Sequence, residues 1–180
     1  MQSEKTRVVS TESRIPTIKI SLSAIYISLG VVLSYINPFK DILILGAKIN
    51  PFAHFINVIA GVTLGPVYAV FIALIIATIR FSLGWGTILA FPGGMSGALV
   101  VGVLAKYIKK LNPKYKIFMA FTEPLGTVFI GGTISAFIIQ VPIFGLWFLF
   151  ALSSIVGAIL GFAILLLLLK QPNINQLIRE

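Results

Sequence analysis

Six apolar runs follow one another along the chain, at about 16–36, 51–64, 66–83, 87–105, 117–140 and 144–169. Most approach the roughly 20 residues that an α-helix needs to cross a bilayer core of about 30 Å. In lipid, every backbone N–H and C=O must be paired internally, which leaves helices or closed barrels. No alternation of apolar and polar residues marks strands, so the sequence reads as an all-α integral membrane protein, a six-transmembrane-helix bundle. Composition agrees: 58% of residues are hydrophobic and 11% charged, where a soluble domain carries about a quarter charged. Mean hydropathy is +1.04. Little remains for a soluble domain, and residues 1–15 and 171–180 read as cytoplasmic tails around a membrane domain spanning 16–170.

Proline and glycine punctuate the runs. Asn37-Pro38 closes the first, and Gly65-Pro66 divides 51–83, which is too long for one crossing. The second run has 14 residues and reaches only about 21 Å, so it either starts within the headgroup layer or is shielded by neighbours. The start of the chain, MQSEKTRVVSTESRIPTIK, lacks the basic region, short apolar core and cleavage site of a signal peptide. The first run is therefore expected to remain as a helix.

Basic residues orient the bundle. With the N-terminus inside, Lys5, Arg7, Arg14, Lys19, Lys106, Lys109, Lys110, Lys114, Lys116, Lys170 and Arg179 are cytoplasmic, 11 of the 14 Lys and Arg. Only Lys40, Lys48 and Arg80 fall outside. That bias predicts an N-in, C-in topology. It also explains the formal charge of +9 as loop charge rather than a nucleic-acid surface. The absence of Cys excludes disulfides and thiolate metal sites.

In this topology the polar residues converge. Lys48 precedes the second helix, and Asn50, His54 and Asn57 share one of its faces at the outer end. Arg80 ends the third helix on the same side, and Trp85 lies in the loop after it. The fourth helix opens with Phe91, Pro92, Gly93 and Gly94, where a Pro-Gly-Gly is expected to break or kink it and free backbone groups. Gln140 ends the fifth helix on that side too, near Trp147. Apolar walls with a few placed polar groups are what a small-molecule pocket needs. Each residue alone has a plainer reading. A single His or Asn is often an interhelical hydrogen bond, Lys48 and Arg80 snorkel, and the tryptophans fit an aromatic belt; the case rests on their meeting at one end.

Glu123, in TEPLGT, is an intramembrane carboxylate with no Lys or Arg within a helical turn. Such a group is a functional candidate by default, or else a protonated or hydrogen-bonded structural residue. Six residues into the fifth run, it is expected in the inner third of the membrane, about 15 Å from His54 by rise per residue. Small residues form a further pattern. Ala24 and Ser28 on the first helix, and Ser153, Gly157 and Gly161 on the sixth, permit close helix approach. For the sixth helix packing within the bundle is expected; for the first, an outside partner is an equal alternative.

Catalytic motifs are missing. There is no GxxxxGK[ST] phosphate loop, no HExxH, no acidic cluster for a metal, and no Ser-His-Asp set from one His and five acids. No cofactor or metal is expected. The chain reads as one that binds something from outside and carries no energy source of its own.

That combination resembles the substrate-binding S components of energy-coupling factor (ECF) transporters. The segments LGAKINPFAHFINVIAGVTLGPVYAV at 45–70, GTILAFPGGMSGAL at 86–99 and TEPLGT at 122–127 are similar to the ThiW family, a likeness covering most of 16–165. The resemblance implies uptake of hydroxyethylthiazole, the thiazole precursor of thiamine, across a prokaryotic cytoplasmic membrane. It implies a ligand in the outer half of the bundle, covered by the loop 37–49 with its apolar run Leu43–Ile49 as a lid. It also implies docking of the first helix, through Ala24 and Ser28, on a membrane coupling subunit served by two cytoplasmic ATPase subunits. The family's second docking Ala is a Ser here, small enough for close approach. A thiazole would need an apolar or aromatic slot from Phe52, Trp85 or Phe91, and donors from Asn50, His54, Asn57 or Arg80. The alternatives are an S component for thiamine or another vitamin, an intramembrane enzyme using His54 and Glu123, and a structural subunit without ligand.

Overall fold

A computed structural model describes residues 2–170, with the side chains of 2–16, 109–111 and 113–114 outside the description. The expected tail 171–180 with Arg179, and the side chains of Lys5, Arg7, Arg14, Lys109, Lys110 and Lys114, lie outside the described residues. Helix α1 runs Gln2–Tyr35. A short hairpin follows, β1 Leu43–Ile44 with β2 Ala47–Lys48, then α2 Pro51–Leu64, α3 Pro66–Ser82 and α4 Ala90–Leu111. The next span is composite: a 3₁₀ helix Pro113–Thr122, a π-helix Leu125–Gly132 and α5 Thr133–Ile139. Helix α6 runs Ile143–Leu168.

Thr17–Tyr35, Ala90–Ile108, Tyr115–Ile139 and Ile143–Leu168 are long and apolar enough to cross a membrane; α2 and α3 are apolar but shorter. Large apolar side chains such as Val67, Phe137, Phe144 and Phe148 stand on the outside of the bundle, as lipid-facing positions require. The chain is an all-α membrane protein. Helix α2 is at its centre, packed by α1, α3, α4 and α6, with eleven of its fourteen residues buried. Neighbouring helices, not lipid, surround it, so its length of about 21 Å need not match the bilayer.

Local chemistry sets the boundaries. Asn50 caps α2, its Oδ1 accepting from the Ala53 N–H at 3.1 Å, and Pro51 occupies the first turn where its missing N–H costs nothing. Gly65, at φ 89°, ends α2, and Pro66 opens α3. The Arg80 carbonyl ties off α3 by accepting from the N–H groups of Trp85 and Gly86 at 2.8 and 3.0 Å. Of the break or kink expected at Pro92-Gly93-Gly94, the break does not occur. Helix α4 opens at Ala90, which puts Pro92 in the first turn, and the helix continues to Leu111.

The sixth helix uses its small residues inside the bundle. A Cβ at Gly157 would lie 2.6 Å from His54 Cβ, and one at Gly161 2.5 Å from Val58; Ser153 Oγ accepts from the Asn50 N–H at 3.0 Å. The hairpin between α1 and α2 turns through Leu45 and Gly46, both at positive φ (46° and 72°), the type I′ geometry of a two-residue loop. Leu45 holds that conformation without being glycine, and packs beside Gly145 at the start of α6.

Candidate functional site

A cavity of about 40 Å³ lies beneath the hairpin, where the N-terminal ends of α2 and α4 meet the end of α3 and the first half of α6. That volume holds a few water molecules. Its walls are Ala47, Ile49, Ala53, Leu89, Ala90, Gly93, Gly94, Leu149 and Phe150, and its polar groups come from Lys48, Asn50, His54, Arg80, Thr87 and Ser153. Among the described residues, no Asp or Glu lines it.

The polar groups differ in how far they are already engaged. Asn50 is nearly saturated: it caps α2, and its Nδ2 donates to Ser34 Oγ at 2.8 Å. Lys48 Nζ donates to the Gly84 carbonyl at 2.7 Å, tying the hairpin to the α3–α4 loop. Arg80 is 4% exposed, and among the described residues its Nε has no protein partner. His54 turns its Nδ1 away from the cavity, 2.8 Å from Glu123 Oε1, which leaves Nε2 as its free ring nitrogen.

Behind His54 lies a second, dry layer. Glu123 is fully buried. Its Oε1 accepts from His54 Nδ1 at 2.8 Å, Asn57 Nδ2 at 3.2 Å and Thr127 Oγ1 at 2.9 Å. Asn57 also donates to the Gly94 carbonyl at 3.0 Å, and Thr127 stands 3.1 Å from the Gly93 carbonyl. This network binds α2, α4 and the fifth span directly below the cavity floor. Gly97 makes room for it: a Cβ there would collide with Thr127 Oγ1 and Glu123 Oε1.

The separation of about 15 Å expected between Glu123 and His54 is therefore wrong. Two causes combine. The fifth span begins at Pro113, four residues before the apolar run, so Glu123 is further from its start than counting from 117 implies. A 3₁₀ helix also rises about 2.0 Å per residue rather than 1.5 Å, which carries Glu123 up to the level of His54.

Of the residues singled out in the sequence, Lys48, Asn50, His54, Arg80, Gly93 and Gly94 line the cavity. Asn57 and Glu123 lie just below it, through the contacts above. Three others are elsewhere. Trp85 packs against the Tyr35 ring at 5.0 Å, and Phe91 sits edge-on to Phe81 at 6.0 Å. Gln140 is exposed, capping α5 in the left-handed region at φ 55°, and lines a separate surface hollow with Phe137, Pro142 and Phe144. Phe52 does not line the cavity either; its aromatic wall is Phe150. Trp147, expected near the mouth, donates to Thr133 Oγ1 at 3.0 Å and packs on Phe129 and Phe144. Phe150 was missed because it is one apolar residue among many on α6, and Ser153 was read only as part of a packing face. Thr127 was within reach, four residues after Glu123 in the same TEPLGT segment. Ala24 and Ser28 are exposed on α1, with Ser28 Oγ donating to the Ala24 carbonyl at 2.9 Å.

No curated protein and no solved structure matches the chain. A family model does, over residues 20–171: that of the thiamine-precursor transporter protein ThiW. A multi-pass helical bundle with a small polar-lined cavity at one end is the architecture such a transporter needs, and with the match covering most of its length the chain belongs to the ThiW family.

Proposed function

We propose that the protein is the substrate-binding S component of an ECF-type importer, capturing hydroxyethylthiazole from outside a prokaryotic cell for ATP-driven uptake. The reading takes six membrane helices with both termini in the cytoplasm, so that the hairpin end faces outward. The observation that carries it is the cavity: Lys48, Asn50, His54 and Arg80 gathered over apolar walls under a hairpin, in a chain of the thiamine-precursor transporter family. The hairpin acts as a lid. At about 40 Å³ the cavity does not admit a substituted ring, so entry requires the strained turn at Leu45 to move. A ring then rests against Phe150 and Leu149, with His54 Nε2 directed at its polar atoms.

Partner docking falls to α1. Ala24 and Ser28 are exposed, and the Ser28 hydroxyl is satisfied within its own helix, so another helix can approach closely without stranding a polar group. Coupling to a membrane subunit and two ATPases supplies the energy this chain lacks.

The contact of His54 with Glu123 favours a second reading, an intramembrane enzyme with His54 as base. Binding is preferred because Glu123 is sealed from the cavity and already engaged by three donors. Calorimetric titration of the purified protein in detergent with hydroxyethylthiazole, thiamine and the pyrimidine half separates the readings. Saturable heat from the thiazole alone, with the compound recovered unchanged, is the expected result. Tighter thiamine binding reassigns the vitamin, and a consumed ligand makes the protein an enzyme.

A further inference from the structure

Arg80 is the one residue of the cavity whose chemistry a neutral ligand leaves unanswered. It sits in the last turn of α3 and is 4% exposed, so its guanidinium does not snorkel to a headgroup layer. Among the described residues its side chain makes no hydrogen bond or ion pair, and its Nε is buried without a protein partner. A buried cation in such a setting is costly unless something pairs with it.

The surroundings reinforce the same sign of charge. Lys48 contributes a second cation, with only one of its protons used, on Gly84. The N-terminal ends of α2 and α4 both open on the cavity and add partial positive charge. Most of their backbone donors are engaged. Asn50 N–H is held by Ser153, Ala53 by Asn50, Ala90 by Thr87, Phe91 by Ile88 and Gly93 by Leu89, while Pro51 and Pro92 have no N–H. The guanidinium, with the Lys48 ammonium beside it, is thus the charged donor that remains. Counter-charge is missing at the cavity: among the described residues no acid lines it, Glu123 lies behind His54 with Oε1 taken by three donors and Oε2 buried away from the lining, and Asp41 is exposed and paired with Lys40.

We infer that the captured ligand is an anion: a heterocyclic thiamine precursor whose carboxylate or phosphate ester seats on the fork of Arg80, with Lys48 as a second contact. This rests on the reading of the cavity as a thiazole-precursor site and changes its favoured ligand from the neutral alcohol hydroxyethylthiazole to an acidic derivative of that ring. A planar guanidinium meets an oxyanion with two parallel hydrogen bonds, and such charge-assisted pairs are roughly twice as strong as neutral ones. The alcohol form of the thiazole offers Arg80 no such partner.

The test is calorimetric titration of the full chain in nonionic detergent with three probes: hydroxyethylthiazole, its monophosphate, and a thiazole carboxylic acid. Wild type, Arg80→Gln and Arg80→Lys are compared, with thermal unfolding of each protein measured alongside. The expected result is that one acidic probe binds wild type about tenfold or more tighter than the alcohol. Arg80→Gln erases that preference and melts no lower than wild type, because it removes an unpaired charge; Arg80→Lys retains part of the preference. Which acid wins identifies the oxyanion. An alcohol that binds as tightly as both acids overturns the inference and leaves the thiazole reading intact. Binding of no thiazole overturns the thiazole reading; the anion site then stands if inorganic phosphate or acetate protects wild type but not Arg80→Gln from unfolding, and falls if neither does. A lower melting temperature in Arg80→Gln with an unchanged ligand preference makes Arg80 structural and also overturns the inference.

Discussion

Two polar arrangements lie within a few side chains of each other in this bundle and are built on opposite terms. Below the cavity, Glu123 gathers three donors, two from α2 and one from its own span, onto one oxygen, and two of them, Asn57 and Thr127, also reach carbonyls of α4. Beside the cavity, Arg80 is nearly as buried, and among the described residues its side chain has no partner, whereas Glu123 leaves only its Oε2 unpaired. In an apolar medium the paired groups of a polar network specify how helices pack, while each unpaired one is a standing cost, small at Glu123 Oε2 and larger at a whole guanidinium. The difference sorts the two groups by role: the first holds α2, α4 and the fifth span in register under the site, and the second belongs to what the site receives.

The largest effect should come from emptying the first arrangement. Glu123→Ala strips His54, Asn57 and Thr127 of a shared acceptor and leaves a cavity among them. It is expected to destabilise the protein by about 3 kcal/mol, the scale of breaking a buried charge network. Thermal unfolding in detergent checks this. Glu123→Gln keeps the volume and one acceptor and should lose less than half as much. If Glu123→Ala melts with wild type, the network does not hold the helices. Arg80→Gln is the mirror experiment, with stability kept and ligand preference lost.

Overfilling should act in the same direction through a different route. A methyl at Gly97 meets Thr127 Oγ1 and Glu123 Oε1, so Gly97→Ala forces α4 from the fifth span and costs about 2 kcal/mol, in the range of core overpacking. A methyl at Gly94, also in α4, would meet only Ala73 Cβ, at 3.9 Å. Gly94→Ala should therefore change stability little while narrowing the cavity it lines. Unfolding curves of the two variants, compared directly, decide whether the network or general helix crowding sets the cost.

How far these arrangements could be read beforehand depended on what kind of signal each leaves. Apolar runs and Gly-Pro punctuation give the all-α membrane class directly, because lipid permits few alternatives. Lys48, Asn50, His54 and Arg80 stand out as polar residues in apolar surroundings and meet at one cavity. Glu123 was equally visible but misplaced, since nothing in the sequence announces that the ten residues 113–122 are 3₁₀ rather than α, and the rise per residue sets the depth. Aromatic residues misled for another reason. Trp85 with Tyr35 and Phe91 with Phe81 form ring pairs that use the same side chains a ligand slot would use. Phe150 carried no signal at all, being one apolar residue in a uniformly apolar helix.

The hairpin offers a smaller perturbation that separates the lid from the floor. Gly46 adopts φ 72°, a region that costs a residue with a Cβ about 1 kcal/mol, and a Cβ there would meet Ile139 at 3.0 Å. Gly46→Ala should weaken the closed hairpin and leave the Glu123 network untouched. The expected outcome is ligand release several-fold faster by stopped-flow, with a melting temperature within a degree or two of wild type. Unchanged release would mean that the hairpin does not gate the cavity.

The smallest effect is expected at the third ionic arrangement, the pair Lys40–Asp41, at 2.6 Å on the same loop. The hydrogen bond from Lys40 holds the Asp41 carboxyl below the usual carboxylate range, with a further pull from the charges of Lys40 and Lys48. A carboxyl whose pKa is lowered on folding contributes stability that is present above its unfolded value and lost as pH falls through the folded one. Any loss therefore falls at or below the ordinary carboxylate range and never between pH 6 and 8. Asp41 is 77% exposed, and water and salt screen such pairs until little remains. Asp41→Asn should accordingly match wild type in melting temperature and ligand affinity at neutral pH, and in 0.5 M salt as well. A clear loss on this substitution would mean that Asp41, despite its exposure, reaches Lys48 or Arg80 in the closed protein. It would then supply the counter-charge that the cavity lacks.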